Sequence, residues 1–370
     1  MKIEPFALER WLLKSSKFEL AGAGITKLKL SEIAPGIDPG MVMNYGLTNG
    51  AELIRSEIAA LFNGIDKDNV LVTSGTAEAN LLVLYRLLEP GDEFVTLNPT
   101  YMQQWGLARS LGAKIKVCQL EEKDSWQLDL ERMKELITPR TKIVSLVNPN
   151  NPTGSVITAG EMMAICEVAK GVGAWVLCDA ALRGLELDGE TSATPIESYD
   201  KGVATGSLSK VGMTGPRIGW IATPDKELLN RCWEFKDYTT LCHSGIGEHI
   251  ATIALQKEKM AGYIDRARNR IKEHTAIMAE WVSQFSPLVE WIPPKAGHTS
   301  FPRYRLDMDS WEMCTRLLEE EGVLVSPGDC FNTPKHFRIR HSAEKDVLIE
   351  ALDRFGAFLK RHSNSSVASG

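Results

Sequence analysis

The chain has 370 residues, 44% of them apolar, with 42 basic and 48 acidic side chains for a net charge of -6; this length predicts two domains and a sizeable core. The acidic balance offers no cluster of Lys and Arg for nucleic acid or an anionic membrane, and no stretch approaches the ~20 apolar residues of a membrane span. Seven scattered cysteines without CxxC or His-rich spacing indicate neither a disulfide framework nor a metal site, and with no signal-peptide core in "MKIEPFALERWLL" a cytoplasmic protein is expected.

In chain order, the amphipathic "AELIRSEIAALF" (51–62) predicts a helix, and then seven short apolar runs follow: "VLVTSG", "FVTLNP", "KIKVCQL", "KIVSLVNP", "AWVLCDA", "GVATGS" and "IGWIAT". Helical patterns such as "EMMAICEVAKGV" (161–172) separate several of them. Continuous apolar strands alternating with helices predict an α/β fold with a mostly parallel seven-stranded sheet covered on both faces. In such sheets ligands bind beyond the carboxyl ends of the strands. The polar stretches "SGTAEAN", "NPTY", "NPNNPTG", "CDAALRG" and "GSLSK" each begin where an apolar run stops, so five loops are expected on one rim. A long helical stretch covers about 225 to 285. Then "WIPPKAGHTSFPRYRL", a helix at 309–321, "GVLVSPGD" and "HFRIRHS" predict a smaller α/β domain. The expected division is a large domain over 46–265, a small domain from 1–45 with 266–362, and a polar, disordered tail at 363–370.

Three features of the loops carry chemistry. Lys210, within "GSLSKVGMTGPRIGW" (206–220), is a Schiff-base candidate if desolvation keeps its amine partly neutral. Asp179 ends a very apolar strand, where a carboxylate is costly without a cationic partner such as a pyridinium N–H. "SGTAEAN" passes from strand to helix, so the N–H groups of Thr76, Ala77 and Glu78 can cradle a phosphate.

The ordered set "SGTAEA", "NPTY", "NPNNPTG", "DAALRG", "SLSK", "PRIGW" and "FRIRHS" resembles the class I/II aminotransferases, fold-type I enzymes that use pyridoxal 5'-phosphate. The resemblance runs from about Tyr45 to Leu352. It implies that Lys210 forms the internal aldimine and shuttles a proton, that Asp179 keeps the ring nitrogen protonated, and that Asn151 bonds the ring hydroxyl. Tyr101 would stack on the ring. Gly75, Thr76, Ala77, Ser207 and Arg217 would hold the phosphate, and Arg338 with Asn151 would hold the substrate carboxylate. Tyr45 would reach the phosphate of a neighbouring subunit, which implies a homodimer. The activity implied is amino transfer from an L-amino acid to a 2-oxo acid.

Two positions depart from this pattern. Leu182 stands three residues after Asp179, where most members have a tyrosine that donates to the ring hydroxyl, and Arg217 follows Lys210 by seven residues rather than eight. The stretches "ELAGAGITKLKLSEI", "YMQQW" and "KDYTTLCHSGIGEHIA" look like the branch containing capreomycidine synthase, which dehydrates and cyclises a hydroxylated arginine. Elimination, cyclisation or oxidation of an amino acid is therefore the rival reaction. His298, His243 and Arg340 are candidates for a side-chain pocket, although a structural role is expected to outweigh that reading for each. A cofactor-sensing DNA-binding regulator is disfavoured by the acidic charge and by an aminotransferase pattern that starts within about 45 residues.

Overall fold

The computed structural model describes residues 3–363 apart from Ala23 and Thr26; from 364 onward the expected polar tail lies outside the described residues. All seven apolar runs form one sheet: β1 (Val70–Thr73), β2 (Glu93–Asn98), β3 (Lys114–Gln119), β4 (Thr141–Val147), β5 (Trp175–Asp179), β6 (Gly202–Ser207) and β7 (Gly219–Ala222). Their order across the sheet is β1-β7-β6-β5-β4-β2-β3. Only β7 runs against the rest, antiparallel to both β1 and β6. The carboxyl ends of the other six strands therefore share one rim, and the chain enters β7 at that same rim.

Burial explains why the runs read as continuously apolar. Leu71, Phe94, Ile143, Leu177 and Val203 face one layer, packed by α2 (Thr76–Leu87) and α3 (Gln103–Ser110). Val95, Val144, Val176 and Cys178 face the other, where Met162, Ile165 and Ala169 of α4 (Ala159–Val172) cover them. Each such side chain contributes about 1.5–3 kcal/mol relative to leaving it in water. At the sheet's edge β3 is less buried, with Lys114 exposed and Lys116 half-buried, and charge there discourages pairing with another chain.

Beyond the sheet, the helical stretch expected over 225–285 divides into Lys226–Lys236, Gly245–Leu255 and α5 (Lys257–Phe285). Ser244 supplies the side-chain cap that starts the second of these. The C-terminal core gathers Met278, Trp281 and Phe285 of α5, Phe337 and Ile339 of β8 (Phe337–Arg340), and Leu348, Leu352 and Phe355 of α6 (Lys345–Ser363). The short helix α1 (Ala7–Trp11) bridges cores, with Leu8 in the layer over α4 and Trp11 in the C-terminal core. Six of the seven cysteines are buried and none is in a disulfide; burial pushes the thiols of Cys232 and Cys330 up to about 12. No helix among the described residues is long and apolar enough to cross a membrane.

Candidate active site

A cavity of about 280 Å³ opens at the rim. The loops after β1, β2 and β4 bring Thr76, Ala77, Tyr101 and Asn151 to it, and those after β5 and β6 bring Asp179, Ser207 and Lys210. Arg217 precedes β7 and Arg338 lies on β8; both face the same space. Of the remaining expected site residues, Gly75 sits just behind the cavity as the N-cap of α2, whereas Tyr45 is outside it and 79% exposed.

Asp179 is only 4% exposed. Burial pushes its carboxyl up from the usual range, opposed by hydrogen bonds from Asn80 and the Ala181 N–H and by the charge of Lys210. Asn80 Nδ2 donates to Asp179 Oδ2 at 3.0 Å. The orientation of that amide is set from behind, because Gln104 Nε2 and Thr205 Oγ1 both donate to Asn80 Oδ1, at 3.0 and 2.8 Å. Two donors on one oxygen leave the Asn80 amine facing the carboxylate. Lys210 is pulled down to about 8 by desolvation first and then by the positive charge of Arg338, while Asp179 and Glu9 pull the other way.

The turn into α2 can accept an anion. Gly75 has φ +85, a conformation L side chains rarely adopt, and no side chain caps the helix start. Its first N–H groups therefore lack an intrahelical partner, and the buried Thr76 Oγ1 has no hydrogen bond among the described residues. Arg217 reaches this turn despite the short loop, because its own backbone takes φ +54 and folds the guanidinium against Gly75. A Cβ on Gly75 would lie 2.5 Å from Arg217 Nη2. Gly219 is equally constrained, since a Cβ there would come within 2.4 Å of the Gly75 carbonyl carbon.

Arg338 is 1% exposed, and burial pulls it down to about 10. Its Nη1 donates to Asn151 Oδ1 at 3.1 Å and its Nη2 to Ala21 O at 2.6 Å. The Asn151 amide is thereby turned so that its nitrogen is the group left to donate to a ligand. Tyr101 O–H donates to Glu9 at 2.9 Å; burial and that carboxylate push the phenol far up. Leu182 lines the cavity with an apolar side chain. Arg340 is held by Glu19, 2.8 Å away, His243 pairs with Glu248, and neither these two nor His298 is among the residues facing the cavity.

Sequence reasoning missed Glu9, Gln103 and Ser209, which line the cavity, and the Asn80, Gln104 and Thr205 layer beneath it. Asn80 lies inside the "SGTAEAN" motif, and its position four residues, one helical turn, after Thr76 is the available signal. The arrangement suits a phosphorylated pyridine aldehyde: an uncapped helix start with an unpartnered hydroxyl for the phosphate, a buried carboxylate for a ring N–H, and a desolvated amine for the aldehyde.

The chain is similar along nearly its whole length to several known proteins. The family model described as aminotransferase class I and II matches residues 27–355. A crystal structure of a PLP-dependent aminotransferase from Streptococcus suis 89-1591 is 34% identical, with a TM-score of 0.91 over 98% of this chain and 99% of that one. The PLP-dependent cyclase OrfR is 28% identical, with a TM-score of 0.89 over 98% of each chain. Capreomycidine synthase of Streptomyces vinaceus is 27% identical over 96% of this chain and 94% of its own length.

Proposed function

The chain belongs to the aminotransferase class I and II family, a PLP-dependent fold-type I enzyme, and we propose that it transfers an amino group from an L-amino acid to a 2-oxo acid at the cavity around Lys210. The observation that carries this reading is the convergence of Lys210, Asp179 and Arg338 on a single cavity. When bound, the cofactor supplies an aldehyde that takes up an amine and a ring that withdraws electrons. Lys210 Nζ, neutral in part because it is desolvated, takes and returns the proton at the substrate Cα. Asp179 holds a proton on the ring nitrogen, and the Asn80 layer keeps its carboxylate aimed. The start of α2, Ser207 and Arg217 would hold the phosphate, Tyr101 would pack against the ring, and Arg338 with Asn151 would grip the α-carboxylate.

A second reading has its own observation. Leu182 leaves the cavity without a phenol at that point, and two of the similar proteins are by name a cyclase and capreomycidine synthase. Elimination or cyclisation would use the same lysine, aspartate and arginine. The holoenzyme incubated with single L-amino acids and no oxo acid separates the two. Transfer is expected to release one equivalent of 2-oxo acid per subunit and stop. Continued release of ammonia or of a dehydrated product would overturn transfer in favour of the second reading.

The homodimer belongs to this proposal. Val42, Met43, Tyr45 and Leu47 are 60–79% exposed and Tyr238 is 87% exposed. Their segments lie together, since Trp233 Nε1 and Lys236 Nζ both donate to Thr48. An exposed apolar patch of this kind supports a subunit contact, in which Tyr45 would take the partner-phosphate role. Sedimentation is expected to give the mass of two chains; a fully active monomer would refute it. The division into 46–265 and 1–45 with 266–362, and a cytoplasmic location, remain part of the same proposal.

A further inference from the structure

The charges around the cavity do not all find a partner in the proposed reaction. Arg217 answers the phosphate, Asp179 the ring nitrogen, Lys210 the aldehyde and Arg338 the α-carboxylate. Glu9 is left over. It lies on α1, which is pinned on both sides of it: Leu8 is 1% exposed, and the Trp11 indole N–H donates to Val325 O at 2.7 Å. The helix that carries the carboxylate is therefore held in place at the cavity. Its Oε1 accepts from Tyr101, and it enters no ion pair among the described residues. Its charge is nevertheless felt inside the cavity, at Lys210 and at Arg338. Once cofactor and substrate carboxylate occupy those two cations, Glu9 is left as a partly buried anion held by the Tyr101 hydroxyl, open to a positive group that a ligand brings.

We propose that Glu9 recognises a cationic group on the substrate side chain, so that the preferred amino acid carries an amine or guanidinium beyond its β-carbon. This rests on the reading of the cavity as an amino-acid site and narrows it. A carboxylate presented from a held helix attracts such a group and repels the side-chain carboxylate of an acidic donor, which gives discrimination in both directions.

The test is calorimetric binding to the holoenzyme at pH 7 of amino acids that cannot react because a methyl replaces the α-hydrogen: α-methylornithine, α-methylnorvaline and α-methylglutamate. The wild type is expected to bind α-methylornithine tighter than α-methylnorvaline by about tenfold to a hundredfold, the range for a hydrogen bond to a charged group, and α-methylglutamate weakest. Glu9→Gln is expected to erase most of that preference while leaving α-methylnorvaline affinity within about threefold, which also reports that the site is still folded. Equal binding of the ornithine and norvaline analogues by the wild type, or a preference that survives Glu9→Gln, overturns the proposal and leaves the amino-acid site standing. If no analogue binds, both this inference and the amino-acid reading fail.

Discussion

Replacing Lys210 with alanine is expected to lower turnover by on the order of 10⁴-fold, the upper end of what a positioned acid–base group contributes, and to abolish covalent capture of the cofactor. Borohydride reduction followed by peptide mapping reads the second effect directly; a rate within tenfold of wild type, or a label elsewhere, would refute the assignment. The pH dependence follows from the position of this amine. Desolvation brings Lys210 to about 8 from an ordinary 10.5, so at pH 7 roughly a tenth of molecules carry it neutral, against about one in three thousand for free lysine. Only the neutral amine attacks an aldehyde. Capture of added cofactor by the apoprotein is therefore expected to accelerate as pH rises through about 8 and then level off. An inflection near 10.5 would mean that the cavity does not desolvate the amine.

Asp179→Asn is expected to cost on the order of 10³-fold in turnover, the magnitude typical of losing one preorganised electrostatic partner of a reacting group. The amide is nearly the same size, so folding should survive and the loss can be assigned to charge. Asn80→Ala should fall between this variant and wild type, by about tenfold to a hundredfold, because it removes one hydrogen bond to a buried carboxylate. The readout that separates aiming from mere packing is the pH at which the bound ring nitrogen loses its proton, followed by absorbance. Without Asn80 the carboxylate loses a donor that holds its own pKa down and becomes the more basic partner for the ring proton, so that pH should rise. Unchanged titration in Asn80→Ala would reduce Asn80 to a structural role, and unchanged turnover in Asp179→Asn would remove the ring-nitrogen assignment.

The sheet was legible because it is buried on both faces: each strand had to be written in apolar residues, and the first polar residue after each run had to fall at the rim. Lys210, Asp179 and Asn151 were found by that logic, and the resemblance gave them roles. The layer beneath Asp179 was less visible. Asn80 meets Asp179 across 99 positions of sequence and Thr205 across 125, and no local pattern encodes such a contact. Glu9 was hidden for another reason. In "FALERW" it reads as the solvated face of a short amphipathic helix, and only packing of Leu8 and Trp11 into different cores turns that face toward the cavity. The short loop to Arg217 was noticed as a spacing anomaly; its resolution required the left-handed backbone at Arg217, which favours glycine and is rarely anticipated at an arginine.

The burial of the cysteines makes the folded chain nearly silent to thiol-alkylating reagents. Only Cys242 among the cysteines is partly exposed, and the buried thiols are further protected because little thiolate exists at pH 7 when burial raises the pKa. The silent ones are distributed among different cores: Cys166 and Cys178 on one face of the sheet, Cys232 on the other, and Cys314 in the C-terminal core. Alkylation of each sulfur is thus a clock on the opening of its own layer. The order in which these clocks start would show which part of the fold yields first, with no engineered label.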